Sequence, residues 1–398
     1  MDLQGDATAL DNLITDPGRA AELQKQGPVH RTTSPTGMPV WLVVGYDEAT
    51  AALSDRRLSV AASHAAGALD GGTLNPDLRD ALLKSLTTSD PPDHTRLRRL
   101  VSSAFTIRQV EAMRPWIGRL IDDLIDRFEP SGRVELMAEF AAPLPILVIS
   151  ELLGIPEADR PQVRDWSRAL ISGLGTPDFP VPIAAQFVDY LRDLIASRRA
   201  QPDETLISRL IRARDENDAL SANELTATIF LMIVAGHDTT LSLIGNGVYL
   251  LMTEPERAAQ LRAEPGQLPA AIEEFLRLES PVPTANFRVA LESFEIGGTR
   301  IAAGDMVLIS LQSANRDLSK FPDPAGLDPA RAQGRHLAFG HGIHFCLGAP
   351  LARIEAEQAI GALLNRFPKL RLAVPPAELT WSQAMFVHRL DTLPLLLS

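Results

Sequence analysis

Cysteine is nearly missing from this chain: Cys346 is the only one in 398 residues. An intramolecular disulfide is therefore impossible, and nothing in the cysteine usage points to secretion. Lysine is almost as scarce, limited to Lys25, Lys84, Lys320 and Lys369, so arginine carries nearly all the positive charge. The formal net charge of −12 argues against general nucleic-acid or anionic-membrane binding. No uninterrupted apolar run reaches the roughly 18–20 residues that a membrane span needs. The stretch Met1–Asp6 has neither a basic n-region nor an apolar h-region, so no secretory leader is expected. Internal repeats and low-complexity segments are absent too. What is left is a cytoplasmic globular protein of one large domain or two ordinary ones, with a normal apolar fraction of 45% to build a core.

The chain is organised around Leu337-Ala338-Phe339-Gly340-His341-Gly342-Ile343-His344-Phe345-Cys346-Leu347-Gly348. Its glycines allow backbone to turn, or to approach something closely. A helix is expected from near Pro350, and a sulfur just before a helix N-terminus meets unpaired N–H groups that favour thiolate. A lone cysteine is ordinarily a small buried hydrophobe. On a glycine-rich platform, two residues after His344, it suggests an axial ligand to haem iron.

Three further stretches stand out. Ser221-Ala222-Asn223-Glu224 is a capping box opening a helix to about Glu254, roughly 45 Å long. Its middle, Ala235-Gly236-His237-Asp238-Thr239-Thr240, is a poor local choice for a core helix, which marks a functional site or a kink. From Ser89-Asp90-Pro91-Pro92 a second helix begins, with His94 and Arg98 one turn apart and able to reach one anion. A helix from Pro269 carries Glu274 and Arg277 at i, i+3. Strands are expected at Val40–Val44 and on both sides of Gly297-Gly298, a hairpin signal. A helix is expected at Ala20–Gln26 within a loop-rich segment 1–36, and another capped by Asp47. The segment Gly173–Pro182 reads as an apolar loop, a candidate lid.

Taken in order, these stretches resemble the cytochrome P450 family along essentially the whole chain. The resemblance implies a mainly α fold with a smaller β-rich region, a single domain over 1–398, and β-rich parts near 38–46, 285–312 and 370–398. Haem b would lie between the long core helix and the helix after Cys346, with Cys346 as the iron ligand. Phe339 would pack beside the sulfur, while Gly340 and Gly348 let backbone approach the macrocycle. His94, Arg98, Arg288 and His344 would neutralise the propionates. Ala235 and Gly236 would leave room for dioxygen, and Asp238 with Thr239 would be catalytic, delivering protons. Glu274, Arg277 and Arg331 would form a structural network, and His237 is given no role.

The implied reaction inserts one oxygen atom from O2 into an apolar small molecule, such as a macrolide or polyketide, terpenoid or steroid-like compound. Electrons would come from NAD(P)H through a ferredoxin reductase and a ferredoxin, since no flavin or NAD motif is present. A docking patch of Arg96, Arg99 and Arg353 is expected for the ferredoxin. Substrate contacts are expected within Ser59–Thr88, Leu170–Pro182, Ile229–Thr240, Val282–Phe287 and Met385–Phe386. A peroxygenase using hydrogen peroxide, a haem sensor or binding protein, and a cysteine hydrolase are the alternatives.

Overall fold

The capping box forms as expected: Glu224 N donates to Ser221 Oγ at 3.1 Å, and Ser221 N donates to Glu224 Oε2 at 2.7 Å. The helix it opens runs Ala222–Thr253, and Glu254, next to Pro255, has left helical geometry. The computed structural model describes residues 16–34, 37–61, 74–173, 179–217, 220–331, 335–382 and 386–398. Among them this is the one helix long and apolar enough to cross a membrane, but most of its apolar stretch is buried in protein. The helices Pro76–Leu83, Pro143–Leu153, Leu268–Leu278 and Ala349–Arg366 pack around it. The last two approach it closely at Gly247, where a Cβ would meet Phe275 at 2.8 Å and Ile360 at 2.9 Å.

The β-rich part is a five-stranded sheet ordered Val29–Thr33, Pro39–Val43, Met306–Ile309, Arg288–Ala290, Leu58–Ser59. Pro39–Val43 and Met306–Ile309 run parallel, pairing Val40 with Met306 and Val43 with Ile309. This register buries Leu42, Val43, Leu308 and Ile309 and fixes Arg288 on the neighbouring strand. A hairpin joins Phe294–Ile296 to Thr299–Ile301 through Gly297 and Gly298, both at positive φ, as their sequence predicts. Residues 133–135, 394–396 and 371–372 form a separate three-stranded sheet.

Two local expectations are corrected. The loop-rich reading of 1–36 misses the strand Val29–Thr33, and the first helix starts at Pro17, capped by the Asp16 carboxylate. Asp47 does not cap its helix; Gly45 holds that position without a side-chain bond, and Asp47 lies in the first turn. Of the segment 59–88, the described parts include the helix Pro76–Leu83, and residues 62–73 lie outside the described ones. Of the candidate lid, residues 174–178 lie outside them too.

Candidate active site

Glycine geometry shapes the loop before Cys346. Gly340 and Gly342 both sit at φ +72°, in the left-handed region, and a Cβ on Gly342 would also strike Ser54 Oγ at 2.9 Å. Cys346 N donates to Phe339 O at 2.9 Å, which closes the loop and aims the sulfur at the start of the helix Ala349–Arg366. Burial dominates and leaves the thiol pKa above its ordinary value, contrary to the thiolate expected from the helix N-terminus alone; the N–H groups of Gly348 and Ala349 and the charges of Arg98 and Arg353 offset it only in part. The cysteine lies deep in the molecule, yet its surface is accessible because it opens into a cavity.

That cavity has a volume of about 340 Å³, within the roughly 300–1,000 Å³ common for ligand and cofactor sites, and its walls are mostly apolar. His94, Arg98, Arg288, Phe339, Gly340, His344, Cys346 and Gly348 line it, with Ala235, Gly236 and Thr239 from the core helix. Asp238, alone among the site residues expected from sequence, does not. A Cβ on Gly236 would lie 3.4 Å from Ile149, an ordinary contact, so packing among protein atoms does not by itself require glycine there. Of the expected substrate contacts, Leu86, Thr87, Leu231, Met232, Val282 and Asn286 reach the cavity. No described residue of the 170–182 segment does, Met385 lies outside the described residues, and Phe386 packs edge-on against Phe287.

One corner of the cavity is strongly cationic. The His94 and His344 rings lie 4.4 Å apart, and Arg288 is buried beside them. Arg288 Nη1 donates to Ala52 O and Leu53 O at 3.2 and 3.1 Å, but its Nε has no partner, nor does His94 Nε2. Arg98 Nη1 donates only to Phe345 O, at 2.8 Å. No carboxylate pairs with any of the four among the described residues, although the nearby Asp90 bonds Ser59 and the backbone of Val60 and Ala61. Burial drives the Arg288 pKa down to about 10; burial, helped by His94 and Arg288, takes His344 down to about 4. Buried donors without acceptors are costly, so this corner is built for an anion.

Across the cavity, Thr239 Oγ1 donates to Ala235 O at 2.7 Å. The neighbouring Asp238 turns away, and both its carboxylate oxygens accept from Arg389 Nη1 at 2.5 Å. His237 is buried, with Nδ1 2.9 Å from Ile233 O, and burial lowers its pKa. Sequence reasoning missed Arg389, which lies 151 residues away with no local signal. It missed Glu355 as well, a cavity-lining acid with an unpartnered Oε2, whose pKa burial pushes well up.

Two networks support the site. Glu274 takes Arg277 Nε and Nη2 at 2.8 and 2.9 Å and Arg331 Nε at 3.2 Å, so the three residues expected to meet do. Arg277 also donates to the carbonyls of Asn315, Pro324 and Gly326, and Asn315 Oδ1 accepts from Leu337 N at the start of the cysteine loop. Nearer the sulfur, Arg353 stacks 4.6 Å over Phe339 and forms a fork with Glu273 at 2.7 and 2.8 Å. The docking patch is thereby revised. Arg353 is neutralised by Glu273, and Arg96 by Glu224 and Asp93; Arg99 is exposed and makes no ion pair among the described residues.

A soft sulfur placed to ligate iron, apolar walls and orphaned cationic donors at the rim fit an iron macrocycle with carboxylate side chains, which defines the class as a haem-thiolate protein. The chain belongs to the cytochrome P450 family, whose model matches residues 148–380, and is a monooxygenase of that family. It is 45% identical to cytochrome P450 monooxygenase PikC of Streptomyces venezuelae over 381 residues, 94% of this chain and 89% of that protein. It is 41% identical to 6-deoxyerythronolide B hydroxylase of Saccharopolyspora erythraea over 403 residues, 99% of this chain and 98% of that one. The fold superposes on tirandamycin C-bound P450 monooxygenase TamI with a TM-score of 0.89 at 42% identity, over the whole of both chains.

Proposed function

We propose that this protein inserts one atom of dioxygen into an apolar macrolide- or polyketide-like molecule, in the cytoplasm. Electrons come from NAD(P)H through a separate ferredoxin reductase and ferredoxin. The observation that carries the reading is the convergence of Cys346, the cationic corner and Thr239 on one apolar cavity. The names of three relatives, 6-deoxyerythronolide B hydroxylase, mycinamicin IV hydroxylase/epoxidase and polyketide biosynthesis cytochrome P450 PksS, support the substrate class.

Cys346 would hold haem b, and His94, Arg98, Arg288 and His344 would neutralise its propionates; bound there, it would supply dioxygen binding and one-electron chemistry. The remaining work falls to the chain. Phe339, under Arg353, shields the sulfur from water. Ala235 and Gly236 keep the wall of the core helix low, and Leu231 and Met232 present apolar surface to substrate. Thr239 Oγ1 sits in the wall with its hydroxyl on Ala235 O, a bond that it can exchange for a partner in the cavity. It moves a proton inward, and Asp238 refills it.

Thr239→Ala removes the hydroxyl with little change in volume. Haem binding and the substrate-induced spin shift should persist, while product formed per NADH oxidised falls about tenfold and hydrogen peroxide rises to match. Unchanged coupling would show that another group supplies the proton. Product formed from hydrogen peroxide alone, at the rate seen with the electron-transfer partners, would replace this reading with a peroxygenase.

A further inference from the structure

Among the described residues that line the cavity, Arg98 and Arg288 are the only permanently charged ones, and Glu355 is the only carboxyl. Glu355 is 1% exposed, and burial disfavours its charged form. Burial also lowers the pKa of His94 and of His344, so neither adds a fixed cation. The two guanidinium groups match the two propionates of haem b, while ferric iron, a dianionic macrocycle and a thiolate at Cys346 sum to zero. The described residues therefore leave no unmatched charge for a ligand. An ion entering these apolar walls would be buried without a partner, which is costly.

One neutral group in the walls is unsatisfied. The hydroxyls of Thr228, Thr239 and Thr240 each donate one turn back along the core helix, to Glu224 O, Ala235 O and Gly236 O, and Thr87 Oγ1 lies 3.2 Å from Ser85 Oγ. Thr284 also lines the cavity and is 1% exposed, but its Oγ1 has no partner. Its backbone is firmly held. Thr284 bridges to Ser310, Ala285 N donates to Ile309 O at 2.9 Å, and Pro283 O accepts from Leu311 N and Gln312 N at 2.9 and 3.1 Å. Nothing holds the hydroxyl itself, so a turn about Cα–Cβ exchanges it with the methyl group at the cavity wall. Valine has the same shape and would leave no orphaned donor, so threonine here costs stability until something accepts its hydrogen bond.

Resting on the monooxygenase reading given above, we propose that the substrate is uncharged at neutral pH and carries a carbonyl or ester oxygen that accepts a hydrogen bond from Thr284. Thr284 is then a specificity-determining residue. Apolar contact alone leaves a ligand free to slide and rotate, whereas one directional bond from a rigid wall fixes which part of it faces the iron side. A macrolactone without ionised substituents meets both requirements, since its ester supplies the acceptor and its skeleton is neutral. The same skeleton with an ammonium or a carboxylate meets the second requirement only, and it must give up solvation for which the cavity returns nothing.

The test titrates the haem-loaded enzyme and reads the substrate-induced spin shift, using a neutral macrolactone and two matched pairs made from it. One pair is its amino-sugar glycoside and the N-acetylated form of that glycoside; the other is its ring-opened acid and the methyl ester of that acid. The neutral member of each pair should bind at least about tenfold more tightly than the charged one. Thr284→Val should weaken binding of the macrolactone about fivefold and widen the set of positions oxidised, and Thr284→Ser should restore most of the affinity. The valine variant should keep its haem content and ferrous carbon-monoxide spectrum, and its substrate-free Tm should not fall. Equal or tighter binding of the charged members overturns the uncharged substrate. A valine variant that binds and oxidises the macrolactone as wild type does, or that loses haem instead of affinity, overturns the role of Thr284. If no compound of the set, neutral or charged, shifts the spin state or yields product, the macrolide- or polyketide-like substrate on which the proposal rests is what fails.

Discussion

Cys346→Ser should abolish monooxygenase activity, with turnover falling at least about 1,000-fold, or ~4 kcal/mol of barrier. The sulfur sits at the mouth of the helix Ala349–Arg366, where the N–H groups of Gly348 and Ala349 and the charges of Arg98 and Arg353 partly offset the burial that raises its pKa, so that iron would complete the thiolate. A serine hydroxyl would meet the same donors, but its far higher intrinsic pKa denies it an anion at neutral pH, and oxygen is a poorer electron donor than sulfur. The fold should survive, because the loop is set by Gly340, Gly342 and the Cys346 N to Phe339 O bond, none of which involves the sulfur. The direct measurement is the ferrous carbon-monoxide spectrum. Wild type should show the strongly red-shifted Soret band of thiolate ligation, and the serine variant should lack it while keeping native circular dichroism. A serine variant with both the band and the activity would remove Cys346 from the iron.

Much of the fold was legible because its signals are local. The capping box at Ser221 and Glu224, the proline after Glu254 and the glycine pair at 297–298 each act within a few residues, and each is found in place. The cysteine loop was legible for the same reason, since positive φ at Gly340 and Gly342 is written as glycine. What escaped depends on contacts remote in sequence. The strand Val29–Thr33 is short and gains its place by pairing with Pro39–Val43. Asp238 could be recognised as misplaced in a core helix, but not that Arg389 of the C-terminal segment balances it. Glu355 reads as one more acid on a polar-looking helix until packing seals it against the cavity. Charge on the cysteine side misled in the same way, because the fork between Glu273 and Arg353 spans 80 residues.

Glu274→Gln should be the most damaging substitution away from the cavity. Glu274 is buried between Arg277, 1% exposed, and Arg331, and its oxygens also accept the N–H of Asp328. Glutamine keeps the shape but removes the one negative charge facing two buried guanidinium groups, and breaking such a pair costs about 3–5 kcal/mol. With roughly 2.1 cal/mol/K of unfolding entropy per residue, that lowers Tm by about 4–6 °C for this length. Arg277 also holds the carbonyls of Pro324 and Gly326, so the chain leading to the cysteine loop should loosen and haem should be retained less well. The pH dependence gives an independent check. Burial raises the Glu274 pKa, but Arg277, the Asp328 N–H and Arg331 outweigh it and hold the carboxyl below its ordinary value. Glu273 behaves alike: burial opposes ionisation, yet Arg353 and His336 bring its pKa to about 2. A depressed folded-state pKa contributes stability above the unfolded value, near 4.3, and the contribution disappears as pH falls through the folded value. The Tm gap between wild type and Glu274→Gln should therefore be full at pH 7 and narrow steadily below about pH 4, while a gap between wild type and a variant that merely disturbs packing would not. Thermal melts of both proteins from pH 7 to pH 3 decide it: equal Tm at pH 7, or a gap that stays constant on acidification, would show that the charge of Glu274 does not hold this part of the fold.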